Sequence, residues 1–155
     1  FDISKRMGDD IVQEFDAGET IVREGDESRE LYILQSGSAE VVKKSGGKDI
    51  RLTTLKKGQF FGEMSLLEGT ARSATVRALK KTRVLVIKPG GLLLKMRRDP
   101  TFAFEMLQQL SARILRMDQA LSVALDSGSL TSETFSEITR RAEAETAQEA
   151  KGDED

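Results

Sequence analysis

One acidic and one basic side chain stand nine residues apart in the glycine-containing segment Phe60–Ala78. The acidic residue is Glu63 and the basic residue is Arg72. An arginine guanidinium is a planar, permanently charged fork of donors that matches two oxygens of a phosphate. A carboxylate repels phosphate but accepts hydrogen bonds from sugar hydroxyls, as acidic residues do in dinucleotide sites. A ligand with one phosphate beside a ribose hydroxyl would satisfy both residues.

Backbone amides would complete such an anion site. Gly62 and Glu63 begin what the sequence predicts to be a single helical turn through Leu67. Free amides around Glu63–Ser65 would make the start of this turn electropositive, and Ser73 would add a hydroxyl donor. Each feature alone has an ordinary explanation as a turn, a helix start or a strand residue. Their combination predicts a cup for a compact anion.

The elements that must position this cup are short strands between glycine turns, a pattern typical of an antiparallel sandwich, roll or barrel. Within it, Val84–Ile87 is a continuous apolar run, as expected of a strand buried on both faces. The predicted strands are Ile11–Phe15, Thr20–Arg23, Leu31–Gln35, Ser38–Lys44, Asp49–Leu55, Ser73–Leu79 and Thr82–Lys88.

A helical region follows Pro89, and Asp99-Pro100 predicts the start of a long helix that ends near Leu125. This helix carries an apolar stripe that either packs on the strand region or forms a coiled-coil dimer seam. The stripe consists of Leu107, Leu110, Ile114, Met117 and Leu121.

The last thirty residues are expected to be an appendage. Asp126–Ser129 is a predicted linker, and Thr131 to about Ala150 a second amphipathic helix, in which Thr134 and Glu137 have capping-box spacing. Lys151–Asp155 is expected to be frayed. We therefore expect a domain over 1–125, which includes the long helix, and a linker, short helix and acidic tail over 126–155.

The composition restricts the chemistry. The 155 residues include no histidine and no cysteine, which argues against most metal sites, serine hydrolase triads and thiolate nucleophiles. We expect no enzyme activity. Residues 126–155 carry three basic and nine acidic side chains, whereas residues 1–125 carry 21 basic and 17 acidic ones. The acidic tail would therefore repel nucleic acid.

No apolar run or leader predicts membrane insertion or secretion. We therefore expect a cytoplasmic protein or the cytoplasmic part of a membrane protein. The first residue, Phe1, suggests an excised piece of a longer chain.

The central segment resembles the phosphate-binding cassette of the cyclic nucleotide-binding domain family, which includes catabolite activator proteins, regulatory subunits of protein kinase A and nucleotide-gated channels. The resemblance extends over about residues 10–125 and implies a mainly β fold with flanking α elements: an antiparallel, jelly-roll-like β-roll with a short cassette helix and C-terminal helices. It is carried by Phe61-Gly62-Glu63, Leu66, Gly69-Thr70 and Arg72–Val76, and upstream by Gly18, Ile21, Gly25-Asp26, Leu31–Ile33, Ser36-Gly37 and Val41.

The resemblance also implies roles for individual residues. Glu63 would bind the ribose 2′-hydroxyl, Arg72 the exocyclic phosphate oxygens, and nearby amides would complete the cradle. Purine contacts would come from the long helix, where spacing suggests Asp118, Leu121 or Ser122. The implied ligand-binding residues are Gly62, Glu63, Met64, Ser65, Arg72, Ser73 and Ala74.

The resemblance predicts an allosteric sensor that binds cAMP or cGMP, with no metal. Family members with serine after the arginine include both selectivities, so Ser73 leaves the choice open, and we favour cAMP. The expected partners are an unknown effector and a second copy through the 101–125 helix. The alternatives are the ligand-binding part of a larger transcription factor or ion channel, and a jelly-roll enzyme or metal-binding roll.

Overall fold

A computed structural model describes residues 11–152 of the chain, as strands interrupted by one short helix and followed by longer helices. The elements in chain order are β1 (Ile11–Phe15), β2 (Thr20–Val22), β3 (Leu31–Ser36), β4 (Ser38–Ser45), β5 (Lys48–Lys56), β6 (Phe60–Phe61), α1 (Glu63–Glu68), β7 (Thr75–Ala78), β8 (Thr82–Ile87), α2 (Pro89–Arg98), α3 (Pro100–Asp126) and α4 (Ser132–Gly152).

The strands form two antiparallel four-stranded sheets, one in the order β1-β8-β3-β6 and the other in the order β2-β7-β4-β5. Strands β4 and β5 are joined by Gly46 and Gly47, with φ angles of 60° and 78°. Positive φ at both positions matches the tight turn that suits the twist of a hairpin. This explains why the glycine pair marks the turn in the sequence.

A single apolar cluster joins the two sheets. Its members come from both sheets, so the sheets pack face to face. The buried members are Val22, Tyr32, Leu34, Ala39, Leu55, Phe61, Val76, Val84 and Val86. The predicted mainly β fold is therefore confirmed.

Strand β8 lies between β1 and β3, and all four residues of Val84–Ile87 are buried. Val84 and Val86 belong to the apolar cluster, whereas Leu85 and Ile87 point to the opposite face of the sheet because side chains alternate along a strand. The prediction of a strand buried on both faces is confirmed.

Strand β6 is an addition to the seven strands predicted from the sequence. Its two residues pair with β3, with Phe61 opposite Tyr32 and Phe60 opposite Ile33. A two-residue strand gives no periodic signal of its own. The pairing matters because it fixes the backbone directly before Gly62.

The described residues form two compact units, one ending at Leu107 and the other beginning at Gln108. The sequence-based division into 1–125 and 126–155 stays a prediction, and residues 1–10 and 153–155 lie outside the described range. Helix α3 starts as predicted, since the Asp99 carboxylate accepts a hydrogen bond from the Phe102 amide at 3.2 Å.

The second predicted helix is present as α4, but its cap differs. The Thr131 hydroxyl accepts a hydrogen bond from the Thr134 amide at 3.1 Å, directly before the helix begins at Ser132. The predicted capping box of Thr134 and Glu137 is therefore wrong, because both residues lie inside the helix. Glu137 instead pairs with Arg141 one turn later, at 3.0 Å.

Candidate functional site

Helix α1 follows β6 after a single residue, Gly62, whose φ of 91° lies in the left-handed region that favours glycine. A β-carbon at this position would lie 2.6 Å from Nη1 of Arg72 and 2.7 Å from the carbonyl oxygen of Glu30. Real contacts of that kind are longer, so only glycine lets the backbone pass this close. Gly62 thus holds α1 and its first residue, Glu63, against Arg72.

Arg72 is the central residue of the site, and only 4% of it is exposed. Its Nε donates a hydrogen bond to the Ser28 hydroxyl at 3.1 Å. Its Nη1 donates to the Gly62 carbonyl at 3.2 Å, and its Nη2 to the Glu30 carbonyl at 2.8 Å. Each of these acceptors is a neutral oxygen. Neutral groups therefore fix the position of the guanidinium, and the Glu30 carboxylate lies 3.7 Å from its Nη2 atom.

The loop between β2 and β3 also holds the backbone of Arg72. The Arg72 amide donates to the Asp26 carbonyl at 2.8 Å, and the Gly25 amide donates to the Arg72 carbonyl at 2.8 Å. Thr75 strengthens this connection, because its hydroxyl accepts a hydrogen bond from the Glu24 amide at 2.9 Å. Both the peptide and the side chain of Arg72 are thus anchored to a loop more than 40 residues earlier in the chain.

An aromatic pair lies beside the guanidinium. The Arg72 Cζ atom is 5.6 Å from the centre of the Tyr32 ring, a distance at which a cation is attracted to the ring face. The Tyr32 ring is stacked on Phe61, with centroids 4.9 Å apart and an interplanar angle of 9°. Because both rings belong to the apolar cluster between the sheets, Arg72 rests against the core of the fold.

Burial is the largest influence on the ionisation of Arg72, and it lowers the pKa of the guanidinium. Tyr32 and the carboxylates of Glu30, Asp26 and Glu63 act in the opposite direction and favour the charged form. Arginine stays protonated in proteins because its ordinary pKa is far above neutrality. The site therefore contains a buried, permanent cation surrounded by acidic groups.

The family model of the cyclic nucleotide-binding domain matches residues 12–99. This range contains α1, Arg72 and all of the described strands apart from the first residue of β1. This match covers more than half of the chain. The chain belongs to this family. The central residues of the site, Gly62, Glu63 and Arg72, lie inside the matched range.

Two curated relatives and one solved structure illustrate the match. The chain is 44% identical over 70 residues to the cAMP-dependent protein kinase regulatory subunit of Schizosaccharomyces pombe. The aligned residues cover 45% of this chain and 16% of the relative. The chain is 48% identical over 68 residues to the cGMP-dependent protein kinase of Toxoplasma gondii, covering 44% of this chain and 6% of the relative. The Thermus thermophilus catabolite activator protein superposes with a TM-score of 0.66 and 30% identity, over 74% of this chain and 54% of that one.

The chain spans about a quarter or less of the length of its curated relatives. The similarity is therefore that of one domain to part of a larger protein. The part matched by the family model comprises the β-roll strands, helix α1 and helix α2. The activities of the whole relatives do not transfer with it.

The structure brings together only part of the predicted cyclic nucleotide site. Gly62, Glu63 and Arg72 lie together as described above. Beside them on α1, Ser65 is buried whereas Met64 is 56% exposed. Ser73 is exposed and Ala74 is half-buried, and both lie directly before β7. The ligand contacts expected of these residues stay predictions.

The predicted purine contacts belong to the second compact unit. Leu121 is half-buried, and Asp118 and Ser122 are exposed along α3. Their role as purine contacts stays a prediction. Across residues 11–152, no group of three or more acidic side chains is arranged to hold a metal ion.

Sequence reasoning did not identify the residues that hold Arg72, namely Ser28, Glu30 and Tyr32. A partial signal was present, because Leu31–Ile33 is part of the family pattern. However, those residues were interpreted only as strand positions. Their second role depends on a contact between strands that are far apart in sequence.

The close approach at Gly62 predicts a stability loss that exceeds ordinary backbone strain. Gly58 is a matched control, because its φ of 85° is similar but a β-carbon there meets nothing within 4 Å. Gly58→Ala should cost about 1–2 kcal/mol of the free energy of unfolding through left-handed strain alone. Gly62→Ala should cost at least about 1 kcal/mol more, because its methyl group would displace Arg72 or the Glu30 peptide. Urea unfolding followed by circular dichroism measures both, and equal losses would contradict the crowding at Gly62.

The environment of Tyr32 predicts that the stability of the fold depends on pH in the range where this side chain ionises. Burial, followed by the charges of Glu30 and Asp26, raises its pKa above the ordinary value of 10.0, and Arg72 only partly offsets this effect. A raised tyrosine pKa stabilises the fold fully below the unfolded-state pKa, and this stability is lost as the pH rises through the folded-state pKa. Because the chain has one tyrosine and no tryptophan, ultraviolet absorbance reports Tyr32 alone. Tyrosinate should appear at higher pH in the folded protein than in urea, and coincident titrations would contradict the burial.

Proposed function

We propose that this chain binds a cyclic nucleotide, with cAMP preferred to cGMP, and acts as a non-catalytic regulatory module. The observation that carries the proposal is the environment of Arg72. Its guanidinium is almost fully buried, is held by neutral oxygens, and lies within electrostatic range of Glu63. These contacts use only part of its N–H donors, so the fork retains donors for a phosphate.

The proposed ligand follows from the pairing of Arg72 with Glu63. The guanidinium would bind the exocyclic oxygens of the cyclic phosphate, and the Glu63 carboxylate would accept a hydrogen bond from the ribose 2′-hydroxyl. Because no side-chain hydrogen bond caps the start of α1, the amides of Met64 and Ser65 are suited to the same anion. A ligand that carries both a phosphate and a neighbouring hydroxyl would use both charged side chains.

The choice between cAMP and cGMP is a separate part of the proposal. The relatives above include a cAMP-dependent and a cGMP-dependent protein. Ser73 follows Arg72 directly and is exposed, a position from which a hydroxyl is compatible with either purine. We favour cAMP, and titration with both nucleotides decides between them.

We further propose that the second unit transmits the binding signal. Several apolar side chains of α3 are exposed, and a nucleotide-dependent contact would cover them. Such a contact would be made with a second copy through residues 101–125. The exposed residues of this helix in the second unit are Ile114, Leu115, Met117, Val123 and Leu125.

An alternative within the same proposal is that the chain is the ligand-binding part of a larger transcription factor or ion channel. The short coverage of the curated relatives favours a module of a larger protein. Within residues 11–152, no helix is long and apolar enough to cross a membrane. The cytoplasmic location expected from the sequence stays a prediction.

Substitution of Arg72 tests the phosphate contact. Arg72→Ala should weaken cAMP binding by about 2–4 kcal/mol, or roughly 30-fold to 1,000-fold, because the phosphate loses its counter-charge. Arg51→Ala is the matched control, since Arg51 is half-exposed and pairs with Glu40 on the second sheet. Titration calorimetry with cAMP and cGMP measures the affinities. Tight binding by Arg72→Ala, or no binding by the unaltered chain, would overturn the proposal.

Substitution of Glu63 tests the ribose contact separately. The unaltered chain should bind 2′-deoxy-cAMP about 10-fold more weakly than cAMP, because the hydroxyl that Glu63 accepts from is missing. Glu63→Gln should bind cAMP more weakly, and the difference between the two nucleotides should shrink, because the charged acceptor is gone. If the variant kept the full difference, another group would be reading the hydroxyl. Competition against a fluorescent cyclic nucleotide measures all four affinities.

A further inference from the structure

A second carboxylate, that of Glu30, lies next to the Arg72 guanidinium. Its Oε2 atom is 3.7 Å from Nη2 of Arg72, which is close enough for strong attraction but too far for a good hydrogen bond. Although the Glu30 side chain is 35% exposed as a whole, its Oε2 atom is buried and has no hydrogen-bond partner among the described residues. The peptide carbonyl of the same residue holds Nη2 at 2.8 Å.

This arrangement is unusual for a residue whose task is only structural. A buried carboxylate oxygen without a hydrogen bond is costly, and a structural ion pair normally recovers that cost through direct N–H donation. Here the backbone carbonyl of Glu30 accepts a hydrogen bond from Nη2, and the carboxylate, at 3.7 Å, contributes charge without a good hydrogen bond of its own. Glu30 therefore influences the electrostatics of Arg72 more than its position.

The charges at the site limit which anions it accepts. One buried guanidinium is within electrostatic range of the carboxylates of Glu30, Glu63 and Asp26. In the proposed function, Glu63 is offset by a hydrogen bond from the ribose hydroxyl, whereas Glu30 has no such donor. A phosphate that binds Arg72 must therefore approach the Glu30 carboxylate, which lies 3.7 Å from the same guanidinium. The repulsion grows in proportion to the charge of the phosphate.

We propose that Glu30 is a specificity-determining residue that favours the singly charged phosphodiester of a cyclic nucleotide over the phosphomonoester of a linear nucleotide. A cyclic phosphate carries about one negative charge, whereas a phosphomonoester carries close to two at neutral pH. Glu30 and the phosphate both lie beside the guanidinium, so the Glu30 charge repels the phosphate. This repulsion lowers the affinity for cyclic and for linear nucleotides. Because its penalty is roughly doubled for the monoester, it separates cAMP from 5′-AMP. This inference rests on the proposed function.

Glu30→Gln provides the test, since glutamine keeps the size of the side chain and the peptide carbonyl that holds Nη2. The variant should bind cAMP about threefold to tenfold more tightly, and its gain for 5′-AMP should be roughly the square of that factor. A gain of affinity is not produced by damage to the fold. Glu27→Gln is the matched control, because Glu27 is an exposed carboxylate in the same loop.

The titration of Tyr32 provides a second readout that needs no nucleotide. The Glu30 charge raises the Tyr32 pKa, so Glu30→Gln should lower it while Glu27→Gln leaves it unchanged. This measurement checks that the carboxylate acts on the Arg72–Tyr32 pair in solution. An unchanged Tyr32 pKa in Glu30→Gln would overturn the electrostatic role.

The outcomes separate this inference from the proposed function. If the unaltered chain binds cAMP but Glu30→Gln gains nothing, gains equally for both nucleotides, or matches Glu27→Gln, the role of Glu30 is overturned and cyclic nucleotide binding stands. If the unaltered chain binds neither cAMP nor cGMP, the proposed function is overturned and this inference with it. Competition against a fluorescent cyclic nucleotide, at one fixed ionic strength, measures every affinity.

Discussion

The site depends on the burial of one permanent positive charge. Removing a guanidinium from water is expensive unless hydrogen bonds and nearby charges replace its hydration. In this chain, three neutral oxygens hold the Arg72 guanidinium, and the charges of nearby acidic groups favour its protonated form. The compensation is therefore sufficient to keep the cation buried, while donors of the fork remain for an anion. The backbone path through Gly62 and the loop from Gly25 to Glu30 both follow from this requirement.

The same side chains belong to the site and to the core. Tyr32 and Phe61 pack between the two sheets, and Tyr32 also lies beside the guanidinium. A site supported in this way has little freedom to shift without a disturbance of the core packing. It follows that Arg72 is a rigid anchor, and that any movement linked to binding has to come from elements outside the apolar cluster. The exposed residues of α1, such as Met64 and Leu67, are of that kind.

Much of the fold was predictable because its signals are local. Glycine turns and apolar runs located seven strands, and Asp99-Pro100 located the start of α3. The family motif singled out Glu63 and Arg72 for the same reason, since they lie close together in the sequence. By contrast, Ser28 and Glu30 lie more than 40 residues before Arg72, and only strand pairing brings them into contact with it. Tyr32 was predicted as a strand residue, which is correct but incomplete, because a strand pattern does not show which side chains lie beside it in the fold.

The excess of acidic groups around one guanidinium has a general consequence for a regulatory site. A pocket that maximised attraction would surround phosphate with cations, and it would hold any phosphorylated metabolite tightly. A single cation flanked by carboxylates instead gives moderate affinity, which depends on the ligand supplying hydroxyl donors as well as a small negative charge. A ligand shifts a conformational equilibrium only by its preference for one state, and it must also leave when its concentration falls. The acidic residues near Arg72 are therefore consistent with a site that discriminates among anions and releases its ligand, because they weaken binding of every anion and weaken it most for those with the highest charge.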